Sequence, residues 1–254
     1  MIKIKTADDI RGMKVAGGIA AWILRELADS IVPGTTTTGD LDRLAERLLK
    51  EKGAKASFKG FRGYPKAICV AVNEEVVHGI PGKRVLNPGD VIGLDIGASI
   101  NGYHGDTATT VPVGEVPERV RRFLRIAEEC LMKGIEQVVP GNRLGDIGHS
   151  IQEYAEGHGY SVVRDLVGHG IGFGLHEEPQ VPNYGSVGEG ILLRKGMTLA
   201  VEPMINMGGL EVRVLPDGWT YVTKDGKVSA HFEHTVAVTA DGPEILTLLP
   251  EEAP

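Results

Sequence analysis

Apolar and polar positions follow a helical period twice near the start of the chain and twice again past its middle. Thr6, with Asp9 three positions later, resembles a capping box opening a helix through about Ala28, and Thr38 can open a second that stops at Gly53. The pattern returns as a helix from about Pro117 to Val138 and another from Leu144 to Glu156, ended by Gly157. Each helix pair is split by a Val-Pro-Gly turn, "IVPGTTTTGDLDRL" at 31–44 and "VVPGNRLGDIGHSI" at 138–151, and each is followed by runs that read as strands.

The strand runs repeat as well. "LNPGDVIGLDI" at 86–96 is echoed by "LRKGMTLAVEP" at 193–203, both displaced by 107 positions, which sets Gly89 against Gly196 and Asp95 against Glu202. His78 in "VHGIP" and His176 in "LHEEP" each precede a proline by three positions. A duplicated ααβ unit predicts two halves packed about a pseudo-twofold axis, with their strands in one shared antiparallel sheet. The expected organisation is therefore one domain over 1–254, with pseudo-repeats of about 1–113 and 114–254, in an α/β (α+β) class.

One strand pair carries the chemistry. "GLDIGASINGYHGDTATT" at 93–110 has a hairpin signal at Asn101-Gly102, where both turn residues accept positive φ. If Ile100 pairs with Tyr103, then Asp95 faces Ala108, and Asp106 lies on the same side of the sheet as a diagonal neighbour. At that diagonal, Cβ atoms sit roughly 7–8 Å apart or somewhat less. Two buried carboxylates repel and raise a pKa unless a cation joins them. Glu202 is the positional twin of Asp95, and Glu233 in "AHFEHTVAV" occupies the place of Asp106 in "GDTATTVPV". His169 in "GHGIGFGLHEEP" has no counterpart in the first half. Four carboxylates and one imidazole are too oxygen-rich for a structural zinc and suit two divalent ions of the Mn, Fe or Co type.

Composition limits the partners. At 42% hydrophobic and 24% charged residues, with 35 glycines and 14 prolines, the chain has the make-up of an ordinary globular enzyme with many turns. A net charge of -7 provides no overall basic field for nucleic acid or anionic lipid. Cys69 and Cys130 cannot build a disulfide framework, "MIKIKTADDI" has no signal-peptide core, and no run approaches the ~20 apolar residues of a membrane span. The expectation is a cytoplasmic monomer with no membrane and no specific nucleic-acid partner.

Asp95 in "LDIG", Asp106 in "HGDTA", His169 in "GHGIG", Glu202 in "VEPM" and Glu233 in "FEHT" resemble, in order and spacing, the five metal ligands of the methionine aminopeptidases. "GYPKAICVAVNEEVVHGIP" at 63–81 is similar to the methionine-pocket segment of the type I, bacterial-like members, and neither the long type II insert nor an N-terminal extension is present. The resemblance implies the pita-bread fold and removal of initiator methionine from nascent polypeptides when the next residue is small. It also implies two divalent ions (Co, Mn, Fe or Zn). Asp95 chelates one, Asp106 and Glu233 bridge both, and His169 and Glu202 complete the second site. Glu202 then relays the proton of a metal-activated water, His176 steadies the developing oxyanion, and His78 hydrogen-bonds the scissile nitrogen.

The resemblance carries over more loosely elsewhere. Phe61, Tyr64, Cys69 and Trp219 match lining positions of the methionine pocket, together with His78 and His176. Asn73, Glu75 and Ser229 match a peripheral monovalent-cation site. Three positions depart from the pattern: Gly97, where some relatives carry Thr, Leu175, where an aromatic is expected, and His231, where Gln is expected. His231 shares the strand face of Glu233, which makes it either a partner of the ligand shell or a perturbation of it. His104, His149, His158 and His234 read as structural. "PERVRRFLR" at 117–125 reads as a solvated helix face, and is also the candidate for a transient ribosome contact. Two rival functions follow: an Xaa-Pro aminopeptidase or dipeptidase with similar ligands, and a non-catalytic binding module of the same fold.

Overall fold

The computed structural model describes residues 1–249. At Thr6 both halves of the capping box form: Asp9 N–H donates to the Thr6 hydroxyl at 3.2 Å and Thr6 N–H donates to the Asp9 carboxylate at 2.8 Å. Helix α1 follows over Ala7–Asp29. Helix α2, Thr38–Glu51, is capped by Thr37 with Asp40, so its cap lies one residue ahead of the expected opening. Helices α3, Glu118–Ile135, and α4, Leu144–Gly157, repeat the pair. Helix α3 ends at Ile135, short of Val138, where the chain tightens into turns in which Gln137 N–H donates to the Gly134 carbonyl at 3.1 Å and Val138 N–H to the Ile135 carbonyl at 2.9 Å.

The Asn101-Gly102 turn takes the positive φ angles its sequence requires, 53° and 83°. It joins strands Val91–Ile100 and Tyr103–Pro112 in the anticipated register, Ile100 opposite Tyr103 and Asp95 opposite Ala108. These two strands and seven others form one antiparallel sheet. Its path runs Lys55–Ala56, Val91–Ile100, Tyr103–Pro112, Glu233–Thr239, Thr198–Val201, Gly168–Gly170, Glu177–Val181, with Cys69–Val72 and Gly242–Ile245 as side branches. The halves meet where Tyr103–Pro112 pairs with Glu233–Thr239.

Pleat alternation sorts the two faces of the sheet. Ile92, Leu94, Ile96 and Ala98 pack into one apolar cluster with α1 and α2 residues, while Asp95 points the other way. Leu199, Val201, Val236 and Val238 do the same with α3 and α4. Helix α1 approaches the hairpin backbone closely: a Cβ on Gly105 would lie 2.5 Å from the Gly17 Cα. The duplication extends to turn geometry. Gly89 and Gly196 have φ of 95° and 86°, and their N–H groups donate to the carbonyls of Val113 and Val238, each at the end of an equivalent strand.

Candidate metal centre and cleft

The sheet places the four predicted acids and the one imidazole on one face. Ala108 pairs with Asp95 on one side and with Glu233 on the other, which puts these two acids in line across three strands. Ala200 pairs with Thr235 on one side and His169 on the other, and Glu202 follows Ala200 by two positions on the same face. Ligand atoms of Asp106, His169 and Glu233 all fall within 4.8 Å of one another. Glu202 Oε1 lies 3.4 Å from His169 Nε2.

Electrostatics show what these acids require. Asp95, Glu202 and Glu233 are pushed well above the usual carboxylate range, first by burial and then by repulsion from the neighbouring acids. Burial alone lifts Asp106 to about 7. Asp95, Asp106 and Glu233 each keep a buried oxygen without a hydrogen-bond partner. His169 lies with Nδ1 2.9 Å from the Gly170 carbonyl. Its Nδ1–H therefore donates there, and the lone pair of Nε2 faces Glu202. Two acceptors facing each other, beside orphaned carboxylate oxygens, are the signature of a cation site, and this oxygen-rich donor set fits divalent ions.

The acids form the floor of a cleft of about 370 Å³. Every other predicted pocket residue lines it: Phe61, Tyr64, Cys69, His78, His176 and Trp219. Tyr64 donates its hydroxyl to the carbonyls of Ile68 at 3.0 Å and Gly79 at 2.8 Å, and meets Trp219 edge-on with centroids 5.1 Å apart. His176 stacks on His169 at 3.9 Å and touches Phe61 at 4.9 Å. Its pKa falls to about 3, through burial and then the neighbouring His169, Arg62 and His78, so the ring is neutral at pH 7. His78 occupies a strained φ of 60° and lies 5.9 Å, edge-on, from Tyr221, with its pKa lowered by burial. Strain of this kind concentrates at functional positions.

The three departures acquire physical causes. Gly97 has no room for a side chain, since a Cβ would sit 2.8 Å from Ser57 Cβ and 2.9 Å from the Phe58 ring. Leu175 is buried and fills the cleft wall where an aromatic was expected. His231 approaches Glu202 rather than its strand neighbour Glu233: its Nε2 is buried, lacks a hydrogen-bond partner, and lies 3.6 Å from Glu202 Oε2. Glu202 is thus held between two imidazoles. Asn73, Glu75 and Ser229 do come together, with Ser229 N–H donating to the Asn73 carbonyl at 2.9 Å, although the Glu75 carboxylate is engaged by Arg84 and Val72 N–H. Histidines 104, 158 and 234 accept or donate ordinary hydrogen bonds to Ser57, the Tyr154 carbonyl and Thr247, in keeping with structural roles.

Sequence reasoning missed Arg62, Asp165, Gln180 and Met204 in the lining. Met204 was within reach of pattern reasoning, two positions beyond Glu202; the others gave no local signal. A larger open groove of about 690 Å³ beside the start of α4 contains none of these metal-ligating groups.

The profile described as Metallopeptidase family M24 matches residues 11–240. Methionine aminopeptidase 1 of Bacillus subtilis is 52% identical over 247 residues, covering 97% of this chain and 99% of that protein. The crystal structure of a methionine aminopeptidase from Thermotoga maritima superposes with a TM-score of 0.95 at 51% identity, covering 97% of this chain and 99% of the other. The Xaa-Pro dipeptidase from Bacillus anthracis is more distant, with a TM-score of 0.77 at 25% identity, and is matched over 98% of this chain but 63% of its own. The halved sheet with helices on one face is therefore the pita-bread arrangement that the resemblance implies.

Proposed function

We propose, from the premise that the chain belongs to metallopeptidase family M24, that it is a metal-dependent aminopeptidase of the type I methionine aminopeptidase kind. It removes initiator methionine from nascent polypeptides whose second residue is small. The observation that carries this reading is the set of buried acids on the floor of the cleft: Asp95, Asp106 and Glu233 each keep an oxygen without a partner, and Glu202 lies between His169 and His231. Identities of 52% and 51% to methionine aminopeptidases, against 25% to the Xaa-Pro dipeptidase, separate it from the proline-directed reading. Binding-module status gains no support, since all five ligand positions keep ligating side chains.

Asp95, Asp106, His169, Glu202 and Glu233 would hold two divalent ions of the Co, Mn, Fe or Zn type. Bound there, such ions supply Lewis-acid polarisation and acidify water, so that hydroxide is available near neutral pH. The remaining work belongs to side chains. Glu202 takes the water's proton at a carboxylate flanked by His169 and His231. The neutral His176 ring donates an N–H to the developing oxyanion, and His78 hydrogen-bonds the scissile nitrogen. Tyr64, Cys69, Phe61, Leu175 and Trp219 enclose the methionine side chain, to which sulfur and aromatic contacts are suited. Asn73, Glu75 and Ser229 would hold a peripheral monovalent cation.

Among the described residues no helix is long and apolar enough to cross a membrane. A cytoplasmic setting, monomeric state and transient ribosome contact through the basic run at 117–125 belong to the same reading. Purified protein supplied with Mn or Co is expected to release methionine from Met-Ala-Ser and to leave Xaa-Pro peptides intact. Release of no methionine, or preference for Xaa-Pro, would overturn the assignment.

A further inference from the structure

Apart from the metal-ligating acids, the cleft lining carries neutral side chains except at its rim. Among the described lining residues, the charged side chains that are also exposed are Arg62 and Asp165. Arg62 is the better placed of the two. It sits in a tight knot, with Phe61 N–H donating to Phe58 O at 2.9 Å and Gly60 N–H donating to Tyr64 O at 2.8 Å. Within that knot Arg62 adopts φ 49°, ψ 19°, between Gly60 and Gly63 at φ 88° and 91°. A left-handed conformation is costly for a residue with a Cβ, so fixing arginine here, next to two glycines, points to a use for its side chain.

Among the described residues the guanidinium is anchored at one point. Its carbon lies 5.4 Å from the centroid of the Phe61 ring, and Phe61 in turn packs against His176 at 4.9 Å. His176 is the residue assigned to the scissile carbonyl, so the cation stands within two ring contacts of the bond that is cut. No salt bridge engages Arg62 among the described residues. A peptide with its methionine in the closed pocket and its second residue at the metals must turn outward over the rim. At ~3.3–3.6 Å per extended residue, the third residue is the first to reach solvent there.

We propose that Arg62 is a specificity-determining residue, whose guanidinium receives the carboxylate of an acidic side chain at the third residue of the substrate. Met-small-acidic N-termini are then processed ahead of Met-small-basic ones. A planar fork of N–H donors matches a carboxylate in two-point contact, and stacking on Phe61 holds the fork ready. Asp165 works in the opposite sense, which makes the rim selective rather than generally attractive to peptides.

This inference rests on the aminopeptidase reading, and the test separates the two. Metal-loaded enzyme is assayed on C-terminally amidated Met-Ala-Glu-Ala, Met-Ala-Gln-Ala and Met-Ala-Lys-Ala, in wild type, Arg62→Gln, Arg62→Glu and Asp165→Asn. Cleavage of the Gln peptide establishes the underlying activity, and no cleavage of any peptide overturns that reading together with this one. The wild-type ratio of kcat/KM for Glu over Lys is expected to be about threefold to fivefold at low salt, the size of an exposed charge pair, and to shrink as salt is added. Arg62→Gln brings the ratio close to one, Arg62→Glu inverts it, and Asp165→Asn raises it. Equal wild-type rates, or a ratio that survives both Arg62 variants, would overturn the assignment to Arg62. Met-Ala-Ser as free acid and as amide is compared in parallel. A preference confined to the free acid would show that the cation reads a chain terminus, and the third-residue assignment would fall.

Discussion

At the scale of single residues, the cleft separates groups that hold ions from groups that touch the substrate. His78 belongs to the second set. Its strained φ of 60° places an imidazole on the cleft wall, and it is the acids and His169 that converge below. Truncating it leaves every proposed ligand in place. His78→Ala is therefore expected to keep its full metal content, read by atomic emission, while kcat drops by roughly 10²–10⁴, the range for a lost proton-handling group. Loss of metal along with turnover would assign His78 to the ion site instead. His231 shows the opposite logic. Its Nε2 stands 3.6 Å from Glu202 Oε2, so the residue that departs from the family pattern bears on the proposed proton acceptor and not on the pocket.

At the scale of elements, the segment 171–176 that carries Leu175 and His176 is fastened by a side chain just after it. Glu177 accepts N–H donation from Phe173 and Gly174 at 3.0 Å each, and its second oxygen receives Lys5 Nζ at 2.5 Å. Both side chains are nearly sealed from solvent, at 2% and 5% exposure, and Lys5 N–H is itself tied to the Gly196 carbonyl at 2.7 Å. The N-terminal segment thereby clasps one wall of the cleft. Burial pushes the Glu177 carboxyl up, but the hydrogen bond and charge of Lys5, with Gly174 N–H and Lys3, outweigh it and hold the group below its ordinary 4.5. A depressed carboxyl stabilises the fold fully above its unfolded pKa, and that stabilisation is lost as pH falls through the lower folded value. Glu177→Gln strands a buried ammonium and is expected to cost about 3–5 kcal/mol at pH 7. The gap from wild type in urea melts should narrow once pH drops below about 4.5. A gap that stays constant with pH would mean the contact acts by packing and not by charge.

At the scale of the whole molecule, local rules made much of this fold readable. The Asn-Gly turn set the register that joins Asp95 to Ala108, and a glycine at positive φ in each half marked the duplication. Those rules act over a few residues. The Lys5–Glu177 pair spans 172 positions, His231 reaches Glu202 across separate strands, and Arg62 owes its place to a knot of backbone hydrogen bonds, so none of these left a local trace. What the duplication achieves is the gathering of four carboxylates that the protein alone leaves unneutralised, and this fixes the behaviour of the metal-free chain. A carboxyl whose folded pKa is raised stabilises the fold only while protonated, so stability is lost as pH rises through that value, which for Asp106 is about 7. The metal-free protein should therefore melt at lower temperature at pH 8 than at pH 5.5. Divalent ions remove the penalty, and at a hundredfold excess over Kd they add about 2.7 kcal/mol. For a chain of this size that is an upward shift of roughly 5–10 °C at pH 8, smaller at pH 5.5, where protons compete for the same oxygens. Scanning calorimetry of chelator-treated and Mn-loaded protein at both pH values reads all four quantities. A metal-free protein equally stable at the two would show that the acids are neutralised by something other than an ion.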